Sequence, residues 1–312
     1  MSNTHMAVVG IGATGAVLAA ALLKQRLDTV LVASSEAKAQ TLKENGLRVG
    51  GFLNYQVPVT RAKGGVAKLA DDPPGTIILA TKTFHLPKVL DELAGVFQPG
   101  MKIVSAHNGL GTEDLIAERF GPQAALRMSL NYGVGFEAPG QVQVAFFNRP
   151  NHLGVVDPAG EAAGRELAEA LTQGGLDTEL VPDIKLFIWK KMIMKCTMAN
   201  ICAVTDRTIR ACLDDPPTRR IADACFQEIL GVAKAKGYDL GPDYLDQVMG
   251  YLDKVGAHKD SMCVDLANRQ PTEIEFLGGK VCEYAAEEGL EVPHYQVMTD
   301  LVRALENNYL KA

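Results

Sequence analysis

The sequence predicts an α/β domain over residues 1–182, followed by a mostly α-helical domain over residues 183–312. Strand-like and helix-like segments alternate throughout the first part, and this alternation is typical of a parallel sheet covered by helices. After Pro182 only helical patterns follow. With 312 residues, 47% of them hydrophobic, the chain is long enough to form two separate cores.

A glycine-rich turn opens the α/β part. It lies between the apolar run at residues 7–9 and an alanine-rich helix, and its glycines are Gly10, Gly12 and Gly15. In this setting the first glycine allows a tight turn, the second lets a pyrophosphate approach the backbone, and the third lets helix and strand pack closely. With Ala13 and Thr14, the turn predicts a Rossmann-type dinucleotide site at a helix N-terminus.

The residues at the end of the second strand, residues 28–33, should determine whether the protein prefers NAD or NADP. An acidic side chain there would bind the ribose 2′-hydroxyl, and a basic one would accept a 2′-phosphate. Here Ser34 and Ser35 follow the strand, with Glu36 and Lys38 just beyond. The hydroxyls and Lys38 favour NADP, while an inward-facing Glu36 would favour NAD.

The remaining elements of the first part follow in order. The predictions are a helix at 36–45, a hairpin at 47–60, a strand at 75–81, a helix at 85–96, a strand at 102–106, three strands within 125–156 at the far side of the sheet, a helix at 161–174 and a strand at 178–181. Lys82 and Asn108 each follow a strand, where open α/β sheets bind ligands. The alternatives are a surface lysine and an Asn-Gly turn.

The second part is predicted to contain helices at 187–204, 218–237, 244–255, 261–268, 272–288 and 294–307. The first is apolar nearly all round, yet it carries Lys190, Lys191 and Lys195. Lys191 and Lys195 share a face because they are four residues apart, whereas Lys190 should reach solvent. If the pair is buried, repulsion and desolvation should lower the pKa of one lysine and favour proton donation. The alternative is two surface lysines.

Two carboxylates follow Pro271. The pattern Thr272-x-x-Glu275 fits a capping box, in which Glu275 reaches back to the start of a helix. Glu273 is then available for a binding site, although its charge also suits a helix N-terminus.

Composition excludes several other functions. A net charge of −6 and a pI near 5.6 argue against nucleic acid as a partner. No uncharged apolar run suits a membrane span, and no secretory leader pattern is present, so a cytoplasmic location is expected. The six cysteines are expected to be reduced thiols. The histidines lack metal-binding spacing, so no metal site is expected.

Taken together, these motifs resemble the ketopantoate reductase (2-dehydropantoate 2-reductase) family along essentially the whole chain. The resemblance rests on Gly10-x-Gly12-x-x-Gly15, Lys82, His107-Asn108-Gly109-x-Gly111, Trp189-x-Lys191, Ser261-Met262 and Thr272-Glu273-Ile274-Glu275, in this order. It implies a helical second domain like that of 6-phosphogluconate dehydrogenase. It also implies NADPH-dependent reduction of a 2-oxo acid, as in pantothenate biosynthesis.

The resemblance also assigns roles. Lys191 would donate a proton to the keto oxygen, and Glu273 would orient Lys191 and bind a substrate hydroxyl. Asn108 would position both nicotinamide and substrate, Ser261 would hold the substrate carboxylate, and Lys82 would lie beside the cofactor. A homodimer is a further expectation.

Three positions depart from the family pattern. Asparagines are usual four and eight residues after the catalytic lysine, where this chain has Lys195 and Ala199, with Asn200 one place late. The arginine common after the second strand is replaced around Ser34. If Lys195 and Asn200 contact the substrate, the added positive charge favours a second carboxylate on the 2-oxo acid. Imine reduction and a non-catalytic dinucleotide sensor are the alternative functions.

Overall fold

A computed structural model describes residues 5–311, and the chain divides into two compact units. The first comprises residues 5–107 and 112–184, and the second comprises residues 108–111 and 185–311. The sequence suggests a boundary after residue 182. In the structure the boundary falls after residue 184, and a four-residue segment from the first half belongs to the second unit.

The first unit contains twelve strands and five α-helices among its described residues. They are β1 Met6–Val9, α1 Ala13–Lys24, β2 Thr29–Ala33, α2 Glu36–Asn45, β3 Leu47–Gly51, β4 Tyr55–Val57, β5 Ala62–Gly64, β6 Thr76–Leu79, α3 Leu86–Leu93, β7 Lys102–Ser105, α4 Thr112–Phe120, β8 Ala125–Ser129, β9 Tyr132–Ala138, β10 Gln141–Phe147, β11 Asn151–Val155, α5 Glu161–Gln173 and β12 Thr178–Leu180.

Within residues 5–311 the main sheet has eight strands in the order β12-β11-β8-β7-β6-β1-β2-β5, and only the β8–β11 pairing is antiparallel. Its central strands are buried on both faces, which explains their continuous apolar runs. Val8 and Ile78 face one core with α1, while Ala7 and Ile77 face the other core with α3. The predicted, largely parallel sheet covered by helices is confirmed.

A second sheet of four strands, in the order β4-β3-β10-β9, packs on the α1 face of the main sheet. The predicted hairpin at residues 47–60 is confirmed as β3 and β4. The prediction of three strands within 125–156, all at the far side of the main sheet, is wrong. There are four, and β10 pairs in parallel with β3 instead. Alternating apolar residues predict a strand, but they do not identify its partner.

The second unit is helical. Its helices are α6 Ile184–Thr205, which begins at the boundary, α7 Ile209–Asp214, α8 Pro216–Ala235, α9 Tyr244–Val255, α10 Ser261–Ala267, α11 Gly278–Glu287 and α12 Pro293–Leu310. Most of α6 is buried, as its composition predicts. Lys190 is exposed on α6, which confirms that expectation.

The predicted capping box at Thr272 is wrong. The Thr272 hydroxyl accepts a hydrogen bond from the Ile274 N–H at 3.2 Å, but a short 3₁₀ turn follows and α11 begins only at Gly278. The Glu275 carboxylate instead accepts from Nε and Nη2 of Arg303, at 2.8 and 2.6 Å. A bidentate guanidinium is a stronger donor than a lone backbone N–H.

All six cysteines are free thiols. Among residues 5–311, no helix is long and apolar enough to cross a membrane. Within the same range no group of three or more His, Cys, Asp or Glu side chains is arranged to hold a metal ion.

Candidate active site

The glycine turn has the steric requirements that its sequence predicts. Gly10 has φ +90°, and a Cβ there would lie 2.7 Å from the Thr81 backbone nitrogen. A Cβ at Gly15 would lie 2.0 Å from the Gly10 carbonyl oxygen. By contrast, a Cβ at Gly12 would meet no described atom within 4 Å. Gly12 therefore leaves open space at the N-terminus of α1, and its residue type suits close approach by a phosphate.

The end of β2 presents a lysine and a serine together. Lys38 Nζ donates to Ser34 Oγ at 3.0 Å, and Ser35 caps α2 by accepting from the Lys38 N–H. The Glu36 carboxylate accepts from Lys68 Nζ at 2.6 Å and from the Gly64 N–H at 3.2 Å. Its bond to Lys68 is the main reason that the pKa of Glu36 is lowered. The acidic group is thus engaged by β5 and the turn after it.

A buried polar network lies beyond the carboxyl ends of β6 and β7. His107 Nε2 lies 3.1 Å from Thr81 Oγ1, and His107 Nδ1 lies 3.0 Å from Ser105 Oγ. Ser105 Oγ also accepts from Arg127 Nη1 at 2.6 Å, while Arg127 Nε lies 3.4 Å from Glu113 Oε2. Burial, and then the charge of Arg127, lower the pKa of His107 to about 3. His107 is therefore neutral and has a structural role in this network.

Lys82, one residue after Thr81, is exposed.

Residues 108–111 form a loop that belongs to the helical unit. The Leu110 N–H donates to the Phe276 carbonyl at 2.9 Å, and the Gly109 N–H donates to Met192 Sδ at 3.2 Å. Gly109 has φ +112°, and a Cβ there would lie 2.7 Å from the Phe276 oxygen. Glycine is thus required for this loop to approach the turn before α11.

Lys191 and Asn108 are brought together in this unit. Lys191 Nζ donates to Asn108 Oδ1 at 3.0 Å, although 83 residues separate the two positions. The loop therefore aims an amide oxygen at one ammonium group of α6.

Lys195 forms a second cluster one turn along α6. Its Nζ donates to Asp260 Oδ2 at 2.5 Å and to Ser261 Oγ at 2.9 Å. Burial of the ammonium opposes its charge, but the charge and hydrogen bond of Asp260, with a contribution from Glu273, raise the pKa of Lys195 overall. Lys195 is therefore not the lysine of the pair with a lowered pKa, because its carboxylate partner outweighs desolvation.

Glu273 is buried, with 8% of its surface exposed, and its charge acts on Lys195. It precedes the 3₁₀ turn Ile274–Phe276, which α12 holds through Arg303 and Glu275. Lys191, Asn108, Lys195, Ser261 and Glu273 thus all belong to one compact unit.

Asn200 is also buried in this unit, but it lies elsewhere on α6, against the start of α11. A Cβ on Gly278 would lie 2.5 Å from Asn200 Nδ2 and 2.3 Å from Thr299 Oγ1. Neither amide atom has a hydrogen-bond partner among residues 5–311.

Asp260 is the residue that the sequence reasoning missed. An aspartate directly before a helical pattern is an N-cap signal, and its Oδ1 does accept from the Met262 N–H at 2.9 Å. That signal identifies the cap but says nothing of Lys195, which is 65 residues away.

Comparison with known proteins covers almost the entire chain. Residues 6–158 match the family "Ketopantoate reductase PanE/ApbA", and residues 183–306 match "Ketopantoate reductase PanE/ApbA C terminal". The 2-dehydropantoate 2-reductase of Streptococcus pyogenes serotype M1 is 30% identical over 302 residues, covering 96% of this chain and 97% of that protein.

Solved structures show the same fold. A ternary complex of D-mandelate dehydrogenase with NADH and anilino(oxo)acetate has a TM-score of 0.86 at 24% identity, covering 98% of this chain and 99% of that one. A dimeric ketopantoate reductase from Staphylococcus aureus has a TM-score of 0.81 at 21% identity, with coverage of 98% and 99%.

Proposed function

Because the chain belongs to the ketopantoate reductase family, a family of oxidoreductases, we propose that it reduces a 2-oxo acid to the 2-hydroxy acid with NADPH. The observation that carries this proposal is the pairing of Lys191 Nζ with Asn108 Oδ1 at 3.0 Å, in the same unit as the buried Glu273. A cation oriented by an amide and accompanied by a buried carboxylate suits a carbonyl that gains negative charge.

The reaction requires a hydride donor and a proton donor. The glycine turn with Ala13 and Thr14 would hold NADPH, which would supply a hydride to the carbonyl carbon while the π electrons of the carbonyl move to its oxygen. The Lys191 ammonium stabilises the developing charge and gives that oxygen its proton. Asn108 holds the ammonium in place, and Glu273 both helps to orient it and accepts a hydrogen bond from a substrate hydroxyl.

The substrate carboxylate is assigned to Ser261. Its Oγ accepts from Lys195 at 2.9 Å, so its own hydroxyl hydrogen remains available for a carboxylate oxygen. Asn200 is 1% exposed and packs against the start of α11, so it is given no role in binding this carboxylate.

The cofactor site is assigned to the glycine turn with Ala13 and Thr14, and Lys82 is proposed to lie beside the cofactor. Lys38 and Ser34 are 3.0 Å apart at the end of β2, and they suit a ribose 2′-phosphate. Glu36, the residue that would favour NAD, is engaged by Lys68. These contacts favour NADP, with NAD as the weaker cofactor.

The tail of the substrate is proposed to be uncharged. Lys195 would favour a second carboxylate only as an uncompensated positive charge. Asp260 accepts a hydrogen bond from that ammonium at 2.5 Å and compensates its charge. The support for a dicarboxylic substrate is removed by this pairing.

We also propose that the protein is a homodimer. Val297, Leu301 and Leu305 of α12 are 59%, 43% and 36% exposed, and their spacing of four residues forms one apolar stripe. The dimeric state of the relative from Staphylococcus aureus is consistent with this proposal.

The direct test is Lys191→Ala, with oxidation of NADPH and NADH followed against a panel of 2-oxo acids that includes 2-dehydropantoate. We expect kcat to fall by about 100-fold or more, which is typical for loss of a general acid. Lys190→Ala is the matched control because it removes an exposed lysine from the neighbouring position of the same helix.

Near wild-type turnover by the Lys191 variant would remove this residue from the mechanism. Tight NADPH binding without its oxidation across the whole panel would instead favour the dinucleotide sensor.

A further inference from the structure

Asp260 is a buried carboxylate whose two oxygens have separate partners. Oδ1 accepts from the Met262 N–H at 2.9 Å and caps α10, while Oδ2 accepts from Lys195 Nζ at 2.5 Å. The side chains of Lys195 and Asp260 are only 15% and 8% exposed. Solvent therefore screens this pair far less than it screens a surface ion pair.

Capping alone does not explain an aspartate at this position. Serine, threonine and asparagine cap helices about as well, and none of them brings a negative charge. A buried carboxylate is costly unless it is paired, and the second oxygen of Asp260 is directed at the ammonium. The residue type is therefore explained by Lys195 rather than by α10.

The pair also sets the charge of the candidate active site. Lys191, Lys195, Asp260 and Glu273 comprise two ammonium groups and two carboxylates, so together they carry no net charge. One substrate carboxylate already makes the occupied site negative. A second carboxylate on the substrate tail would meet Asp260 in a place where water screens poorly.

We propose that Asp260 is a specificity-determining residue, which neutralises Lys195 and thereby makes the site reject 2-oxo acids with a carboxylate on their tail. This inference rests on the proposed 2-oxo acid reductase function. Lys195 then acts as a hydrogen-bond donor. Of its three N–H groups, Asp260 and Ser261 engage two, which leaves the third for a neutral acceptor such as a hydroxyl.

The test compares two substrates of equal chain length, 2-oxovalerate and 2-oxoglutarate, which differ in having a methyl or a carboxylate at the end of the tail. The measured quantity is the ratio of kcat/KM for 2-oxoglutarate to kcat/KM for 2-oxovalerate. We expect Asp260→Asn to raise this ratio by about 10-fold or more, because Lys195 is then uncompensated.

Three further variants complete the experiment. Asp260→Ser keeps a helix-capping oxygen without the charge and should raise the ratio as well, so the test does not depend on one variant folding. Adding Lys195→Met to Asp260→Asn should return the ratio to the wild-type value. The matched control is Asp206→Asn, which removes the same charge from the exposed pair between Asp206 and Lys259, 2.7 Å apart.

The outcomes separate this inference from the function on which it rests. If the wild-type protein reduces no 2-oxo acid, including 2-dehydropantoate, the proposed function fails. If it does reduce them, the role of Asp260 is overturned by any of three results: an unchanged ratio in both Asp260 variants, an equal rise in Asp206→Asn, or a wild-type preference for 2-oxoglutarate.

Discussion

At His107, burial decides the protonation state, and this has a measurable effect on stability. The pKa of this imidazole is lowered from 6.5 to about 3, first by desolvation and then by Arg127. Between these two pH values the unfolded chain binds a proton that the folded chain does not. Stability contributed by neutral His107 is therefore present above pH 6.5 and is lost progressively as the pH falls towards 3.

We predict that His107→Gln removes this part of the pH dependence. The variant should be less stable at pH 7 because the contacts with Thr81 and Ser105 change. Between pH 7 and pH 5, however, it should lose about 2 kcal/mol less than the wild type does. Urea unfolding at the two pH values measures the difference, with the exposed His85→Gln as control. Equal losses in all three proteins would show that His107 titrates normally.

Single residues also show how far sequence reasoning reaches. Lys191, Glu273, Asn108 and Ser261 were identified from motifs, and the structure brings them into one unit. The partner of Lys195 could not be identified in this way, since the contact with Asp260 spans 65 residues. The raised pKa of Lys195 could not be predicted for the same reason: the neighbouring lysine and desolvation are visible in the sequence, but the contact with Asp260 is not.

Among the elements, the loop of residues 108–111 requires glycine both for its backbone conformation and for its close approach to Phe276. Gly109 combines φ +112° with the approach of Phe276, whose carbonyl oxygen would lie 2.7 Å from a Cβ. Gly100 has a similar φ of +96°, but a Cβ there would meet nothing within 4 Å. A side chain at Gly100 would therefore cause backbone strain only, whereas a side chain at Gly109 would cause both strain and a steric collision.

We predict that Gly100→Ala costs roughly 1–3 kcal/mol of stability, from backbone strain alone, and leaves turnover unchanged. Gly109→Ala should cost more, and it should also lower kcat because the collision displaces Asn108 from Lys191. Denaturant unfolding and steady-state kinetics on both variants test this. Equal effects in the two variants would mean that the collision is relieved without moving the loop.

Helices and strands were predicted well where the hydrophobic pattern of the segment itself is sufficient to identify them. The strands of the main sheet are continuous apolar runs, and α6 is apolar nearly all round, so their existence follows from local pattern. Only the β3–β4 hairpin of the second sheet was predicted, because β3 and β10 are far apart in the chain and pair only in the fold. Likewise, the partner of Glu275 is Arg303, which lies in the next helix, so local pattern suggests a capping box that does not form.

For the whole molecule, the testable property is the number of chains in the assembly. If the stripe on α12 mediates a homodimer, Leu301→Asp should shift the sedimentation coefficient to that of a monomer. Leu310→Asp is the control: this residue is 50% exposed on the same helix but lies about 140° round from Leu305. A monomeric wild-type protein, or dimers that persist in Leu301→Asp, would remove the stripe from the interface.

The placement of residues 108–111 in the helical unit has a consequence for biosynthesis. Asn108 leaves the ribosome 83 residues ahead of Lys191, and its neighbour Leu110 is made long before Phe276. The loop can therefore adopt its final contacts only after the chain has been synthesised as far as Phe276. The proposed proton-donor assembly is completed only by contacts of high sequence separation. Catalytic competence should accordingly appear late in synthesis, after the segment containing Phe276 has emerged.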